Sequence, residues 1–183
     1  MSNNYLKELS DILQQEKTKE INDLYESILE TVDNGNNIFI CGNGGSAANA
    51  NHIANDLLCV ASIKLKKNIK VESLSANQAV ITCIANDRGY ENIYSEQVQI
   101  KGNENDLLIL LSGSGNSKNI IKAIEVAKNK KLKTLSILGF DGGKCKKISD
   151  KVLHFQINDM QIAEDLQMII FNACLKKFIN SNS

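Results

Sequence analysis

The chain has 183 residues, enough for one domain that buries about two-thirds of its unfolded surface. Lys plus Arg and Asp plus Glu both number 21, so no net charge draws it to nucleic acid or to a membrane surface. No apolar run is long enough to span a bilayer and no secretory leader pattern opens the chain. Five cysteines (Cys41, Cys59, Cys83, Cys145, Cys174) form no Cys-x-x-Cys pair, so the sequence reads as a cytoplasmic protein with reduced thiols.

Residues 5–31 carry apolar side chains at helical spacing: Leu6, Leu9, Ile12 and Leu13, then Ile21, Leu24, Tyr25, Ile28 and Leu29. They predict one long helix or two, whose stripe must bury itself on its own sheet or against a neighbouring subunit. Asp33-Asn34-Gly35-Asn36-Asn37 ends the segment. On this reading residues 1–34 are an N-terminal helical part of the same domain as residues 35–183.

Residues 38–41 (Ile-Phe-Ile-Cys) then read as a buried strand. Gly42, Gly44 and Gly45 allow a sharp turn with positive φ, and from Ser46 the composition turns helical. Free N–H groups at such a helix start suit an anion. The same device recurs at residues 107–111, an apolar run followed by Ser112-Gly113-Ser114-Gly115-Asn116-Ser117 and a helical pattern. N-capping by one serine accounts for Ser117 but not for Ser112 and Ser114. Two such loops predict a phosphosugar site, with both preceding strands adjacent and of the same polarity.

Elsewhere, 69–74 alternates and predicts a strand near a sheet edge, and 77–85 predicts a helix that stops at a turn over 86–89. Residues 90–100 predict further helix. Strands are expected at 133–139 and 152–157, a turn at 141–143, a short helix at 144–148 and a final amphipathic helix over 161–179. Alternating strands and helices predict an α/β domain with a doubly wound parallel sheet, ligands lying beyond the carboxyl ends of its strands. His154 falls inside the last strand and reads as structural.

Cys-Gly-Asn-Gly-Gly-Ser-Ala-Ala at 41–48, Ala-Asn-Asp at 85–87 and Ser-Gly-Ser-Gly-Asn-Ser at 112–117 resemble the sugar isomerase (SIS) domain family. Within it they are similar to the phosphoheptose isomerases, which interconvert sedoheptulose 7-phosphate and a heptose 7-phosphate. The resemblance covers nearly the whole chain. It implies a homotetramer with active sites shared between subunits. It implies phosphate on Ser46, Ser112, Ser114 and Ser117, loop groups near Asn43 and Gly45, and Asp87 at the sugar.

Many members carry zinc on a His-x-x-x-Glu helix face plus a Gln and a His on the last helix. Here those positions read His52, Asp56, Glu164 and Asn172, and Val60 replaces a phosphate-facing arginine. The family's base is the Glu and its second proton-transfer group the His; Asp is a methylene shorter, and Asn exchanges no proton near neutral pH. Two readings follow. In one the site is rebuilt, with His52, Asp56, Glu164 and Asn172 around zinc, Asp56 as base, Glu164 as second choice and His52 as ligand or acid. In the other the chain is a non-catalytic regulator, like the branch that binds the replication initiator protein and also carries Asn at that position. An ordinary amphipathic last helix would leave Asp165 and Gln167 in water.

Overall fold

The computed structural model describes residues 2–15 and 17–182. Met1 and Ser183, the outer bounds of the two expected segments, and Glu16 within the expected helical stretch lie outside the described residues. The elements run α1 (Ser2–Leu13), α2 (Thr18–Asp33), β1 (Asn37–Gly42), α3 (Gly45–Asn55), a π-helical stretch (Asp56–Ala61), α4 (Ser62–Leu65) and β2 (Lys70–Ser73). They continue with α5 (Gln78–Arg88), a 3-10 turn (Tyr90–Asn92), α6 (Ser95–Lys101), β3 (Leu107–Ser112) and α7 (Lys118–Asn129). β4 (Lys133–Leu138), α8 (Cys145–Ile148), β5 (Lys151–His154) and α9 (Met160–Asn182) complete the chain.

All five strands are parallel, in the order β2-β1-β3-β4-β5. β3 is buried at every position, as a strand covered on both faces must be. Period-two alternation divides the core. Ile38, Ile40, Ile109, Leu111 and Ile137 face Leu24 and Ile28 of α2, Ile53 of α3 and Leu166 of α9. Phe39, Cys41, Leu108 and Leu110 face Val98 of α6 and Ile120 and Ile124 of α7. The N-terminal stripe therefore packs on its own sheet, in two helices. β2 is an edge strand, as its alternation predicts.

The predicted neighbours β1 and β3 are directly paired, Ile38 opposite Leu107 through Gly42 opposite Leu111. The chain leaves β1 in one direction to reach β2 and builds β3, β4 and β5 on its other side. The β1/β3 boundary is thus the topological switch point, where a crevice opens beyond the strand ends.

Several boundaries differ from expectation, and the final helix runs on to Asn182. α5 runs on through Asn86 and Asp87 to Arg88, and Gly89 (φ 90°) ends it instead. β5 ends at His154, although the Phe155 N–H still donates to the Leu138 carbonyl at 2.9 Å. His154 is structural: its Nε2 lies 3.0 Å from the Phe140 carbonyl and its Nδ1 3.1 Å from Lys146 Nζ. All five cysteines are free thiols. Burial pushes Cys41 well above the ordinary thiol range, Cys145 to about 11 and Cys174 to about 12.

Candidate functional site

A cleft of about 220 Å³ opens at the switch point, lined by Asn43, Ser46, Ser112, Ser114, Ser117 and Glu164, with Met160 at its side. Five of the residues expected to hold phosphate are therefore on one wall system, built by the turns after β1 and β3.

In the first turn only Gly44 takes positive φ (56°) among the three glycines of the motif. Gly45 has a different role. A Cβ there would sit 2.1 Å from Glu164 Oε2, so the missing side chain makes room for the carboxylate. Glu164 Oε1 accepts the Ser46 N–H at 3.1 Å, placing a negative charge against the start of α3, where the helix dipole favours it. Asn43 is fixed by a reciprocal amide pair with Asn119 (2.8 and 2.9 Å) and accepts from the hydroxyls of Tyr90 (3.2 Å) and Tyr94 (3.3 Å). Tyr94 also donates to the Gly42 carbonyl. Burial pushes the Tyr94 hydroxyl above its ordinary range, which keeps it a donor.

The second turn holds its hydroxyls otherwise. Ser112 Oγ accepts the Gly115 N–H at 3.0 Å and Ser114 Oγ accepts the Asn116 N–H at 3.2 Å. A hydroxyl that accepts from a main-chain N–H still has its own proton to donate. Ser117 stands at the N-cap of α7 but makes no side-chain capping bond, so the capping explanation for it does not hold. Gly115 (φ 64°) packs its Cα against the next loop, since a Cβ would meet the Gly142 carbonyl oxygen at 2.1 Å.

The remaining predicted residues are elsewhere. His52 Nε2 lies 3.3 Å from Asp56 Oδ2, the side chains 58% and 16% exposed. This pair is towards the far end of α3, where the helix turns to π geometry, with His52 roughly 9 Å and Asp56 roughly 15 Å along the axis from Ser46. Asp87 is exposed at the end of α5, accepting from Asn86 at 2.8 Å. Asn172 is exposed on α9. Among the described residues no three or more His, Cys, Asp or Glu side chains come close enough to hold a metal ion. The expected set of His52, Asp56, Glu164 and Asn172 is thus not assembled within one chain: Glu164 is engaged at the opposite end of α3 from His52 and Asp56. Within the single chain these donors do not fit a zinc ion.

Gln167 corrects another expectation. It is 1% exposed, and its amide bonds to Ser46 and Asn49. Its signal was available in the sequence, because Ala163, Gln167, Ile170 and Cys174 share one apolar face of α9. Asn119 carried a similar signal, four and eight residues before Ala123 and Ala127 on the buried face of α7.

Residues 3–139 match the family model described as the SIS domain. The chain is 41% identical over 159 residues to the phosphoheptose isomerase of Helicobacter pylori (strain Shi470), covering 85% of this chain and 82% of that one. It is 37% identical to that of Aliarcobacter butzleri (strain RM4018), over 77% and 74%. Among solved structures it resembles phosphoheptose isomerase from Neisseria gonorrhoeae, with TM-score 0.84, 27% identity, and 98% and 93% coverage. The fold also matches the Francisella tularensis enzyme, with TM-score 0.91, 23% identity, and 97% and 96% coverage. The chain belongs to the SIS-domain family and, within it, to the phosphoheptose isomerases.

Proposed function

We propose that this chain is an aldose–ketose isomerase interconverting sedoheptulose 7-phosphate and a heptose 7-phosphate, with phosphate gripped by Ser112, Ser114 and Ser117. The observation that carries this reading is the convergence of both Gly/Ser turns and one carboxylate, Glu164, in a single cleft at the β1/β3 switch point.

The chemistry asks for little more than positioning and proton transfer. A base removes a proton from C1 of the ketose while the C2 oxygen gains one, giving an enediol. The C1 hydroxyl then loses its proton and C2 gains one, giving the aldose. Glu164 is the carboxylate we assign to proton transfer at carbon, because it lines the same cleft as the serines and the Ser46 N–H fixes its orientation. Asn43 lines the wall beside it, and Gly45 leaves room for its carboxylate. Asp56, His52 and Asp87 lie outside this cleft in the single chain.

A homotetramer is the companion proposal. α5 carries Val80, Ile81 and Ile84 yet buries none of its residues, and Leu58 and Ile63 are 51% and 74% exposed, a face that further copies of the chain would cover. Among the described residues no helix is long and apolar enough to cross a membrane. A cytoplasmic setting is supported by the five free thiols.

The experiment is direct conversion of sedoheptulose 7-phosphate, followed by the appearance of an aldose. Turnover by the purified chain is the expected result. Tight phosphosugar binding without turnover would instead leave the regulator reading standing.

A further inference from the structure

We infer that Gln167 is a positioning residue that sets the direction of the Ser46 hydroxyl, turning it into a hydrogen-bond donor to the bound phosphosugar. The inference rests on the phosphosugar reading of the cleft and adds to it a residue outside the lining.

Hydrogen-bond polarity along this chain of side chains is fixed at one end by a group that can act in one way only. The main-chain carbonyl of Glu164 can only accept. The Asn49 side-chain atom 2.9 Å from it must therefore be the amide nitrogen. That same nitrogen lies 2.9 Å from the Gln167 side chain, so the Gln167 atom facing it must be the oxygen. The other end of the Gln167 amide is then the nitrogen, and it donates to Ser46 Oγ at 3.0 Å. Ser46 Oγ thus accepts, and this is its one hydrogen bond among the described residues. Its own proton has no acceptor among the described residues.

Burial makes this order firm. Gln167 is 1% exposed and Ser46 3% exposed, so water does not compete at the amide, and reversing the chain would set two nitrogens or two oxygens face to face. Ser46 lines the cleft, and its N–H is already committed to Glu164. The free hydroxyl proton is what the first turn offers a ligand oxygen. Ser112 and Ser114 reach the same state through main-chain N–H groups; Ser46 needs a side chain from α9 to do it.

The test measures sedoheptulose 7-phosphate affinity by calorimetry in the full-length protein. Gln167→Met keeps the volume and removes the donor, and binding should weaken about tenfold. Asn49→Asp presents only acceptors, so it turns the Gln167 amide over and makes Ser46 donate to Gln167. It should weaken binding to the same extent while leaving Gln167 in place. In a Ser46→Ala background neither change should weaken binding further. Wild-type affinity in both variants, or losses that add to that of Ser46→Ala, would overturn the inference. Absence of binding by the wild type would overturn the phosphosugar reading beneath it.

Discussion

The turn after β1 and the turn after β3 leave paired parallel strands in the same direction, and each opens a helix with glycine and serine. The first has an internal carboxylate seated on it: Glu164 takes the Ser46 N–H and fills the space that Gly45 leaves. The second folds back on itself, its main-chain N–H groups bonding Ser112 and Ser114 and leaving their protons, and the Ser117 hydroxyl, to the cleft. Duplicated local sequence therefore does not mean duplicated function. On the proposed reading one turn holds a ligand's charge, and its twin holds the protein's own charge beside it.

The change with the largest expected effect breaks this division at the first turn. Glu164→Gln keeps an acceptor for Ser46 N–H but removes the proton-accepting group, and turnover should fall by about 10²–10⁴-fold. Phosphosugar binding, read by calorimetry, should survive.

Gly45→Ala should act on the same carboxylate from the other side. The new Cβ would meet only the tip of a flexible side chain, and the φ of Gly45 is not positive. The expected result is a carboxylate pushed off the α3 start, with turnover down about 10²-fold and melting temperature nearly unchanged.

Gly115→Ala is the matching change in the second turn and should give the opposite pattern. There the Cβ meets a main-chain carbonyl at 2.1 Å and the residue has φ 64°, so nothing flexible can yield. A loss of about 2 kcal/mol of stability is expected, a fall of roughly 4–8 °C in melting temperature. A Gly115→Ala protein as stable as wild type would break the comparison.

The smallest effect is expected at the other end of the sheet. Asp150 ties the start of β5 to β4, accepting from Thr134 N–H at 2.9 Å and Oγ1 at 2.7 Å and from Lys128 at 3.1 Å. Burial raises its carboxyl, but the bonds from Thr134 and Lys128 outweigh that and hold it below the ordinary carboxylate value. A lowered folded-state value stabilises above the unfolded pKa, and the gain is lost as pH falls through the folded one. Asp150→Asn should thus cost stability at neutral pH, less than about 1 kcal/mol for this 43% exposed side chain. The gap to wild type should close in acid, with phosphosugar affinity unchanged throughout.

Much of the fold and half of the site were legible in the sequence, and the division between them is physical. Strand runs, glycine turns and the serines at 112, 114 and 117 are local: each is specified by residues within a few positions. The seating of Glu164 on Ser46 spans 118 residues, and no periodicity in α9 announces it. Asn86 and Asp87 read as a turn, but Gly89 offered a better helix end three residues later. Asp56 and His52 share a helix face as their spacing predicts. Their distance from the cleft follows from α3 starting where β1 ends, which carries residues six and ten positions past Ser46 away from the strand ends.

The central claim is that Glu164, rather than Asp56, moves the proton. It is tested most directly by incubating sedoheptulose 7-phosphate in heavy water with wild type, Glu164→Gln and Asp56→Asn, and following deuterium uptake at carbon by NMR. The account predicts exchange in wild type and in Asp56→Asn, and its loss in Glu164→Gln with binding retained. Exchange that persists in Glu164→Gln and vanishes in Asp56→Asn would contradict it and move the base to the far end of α3.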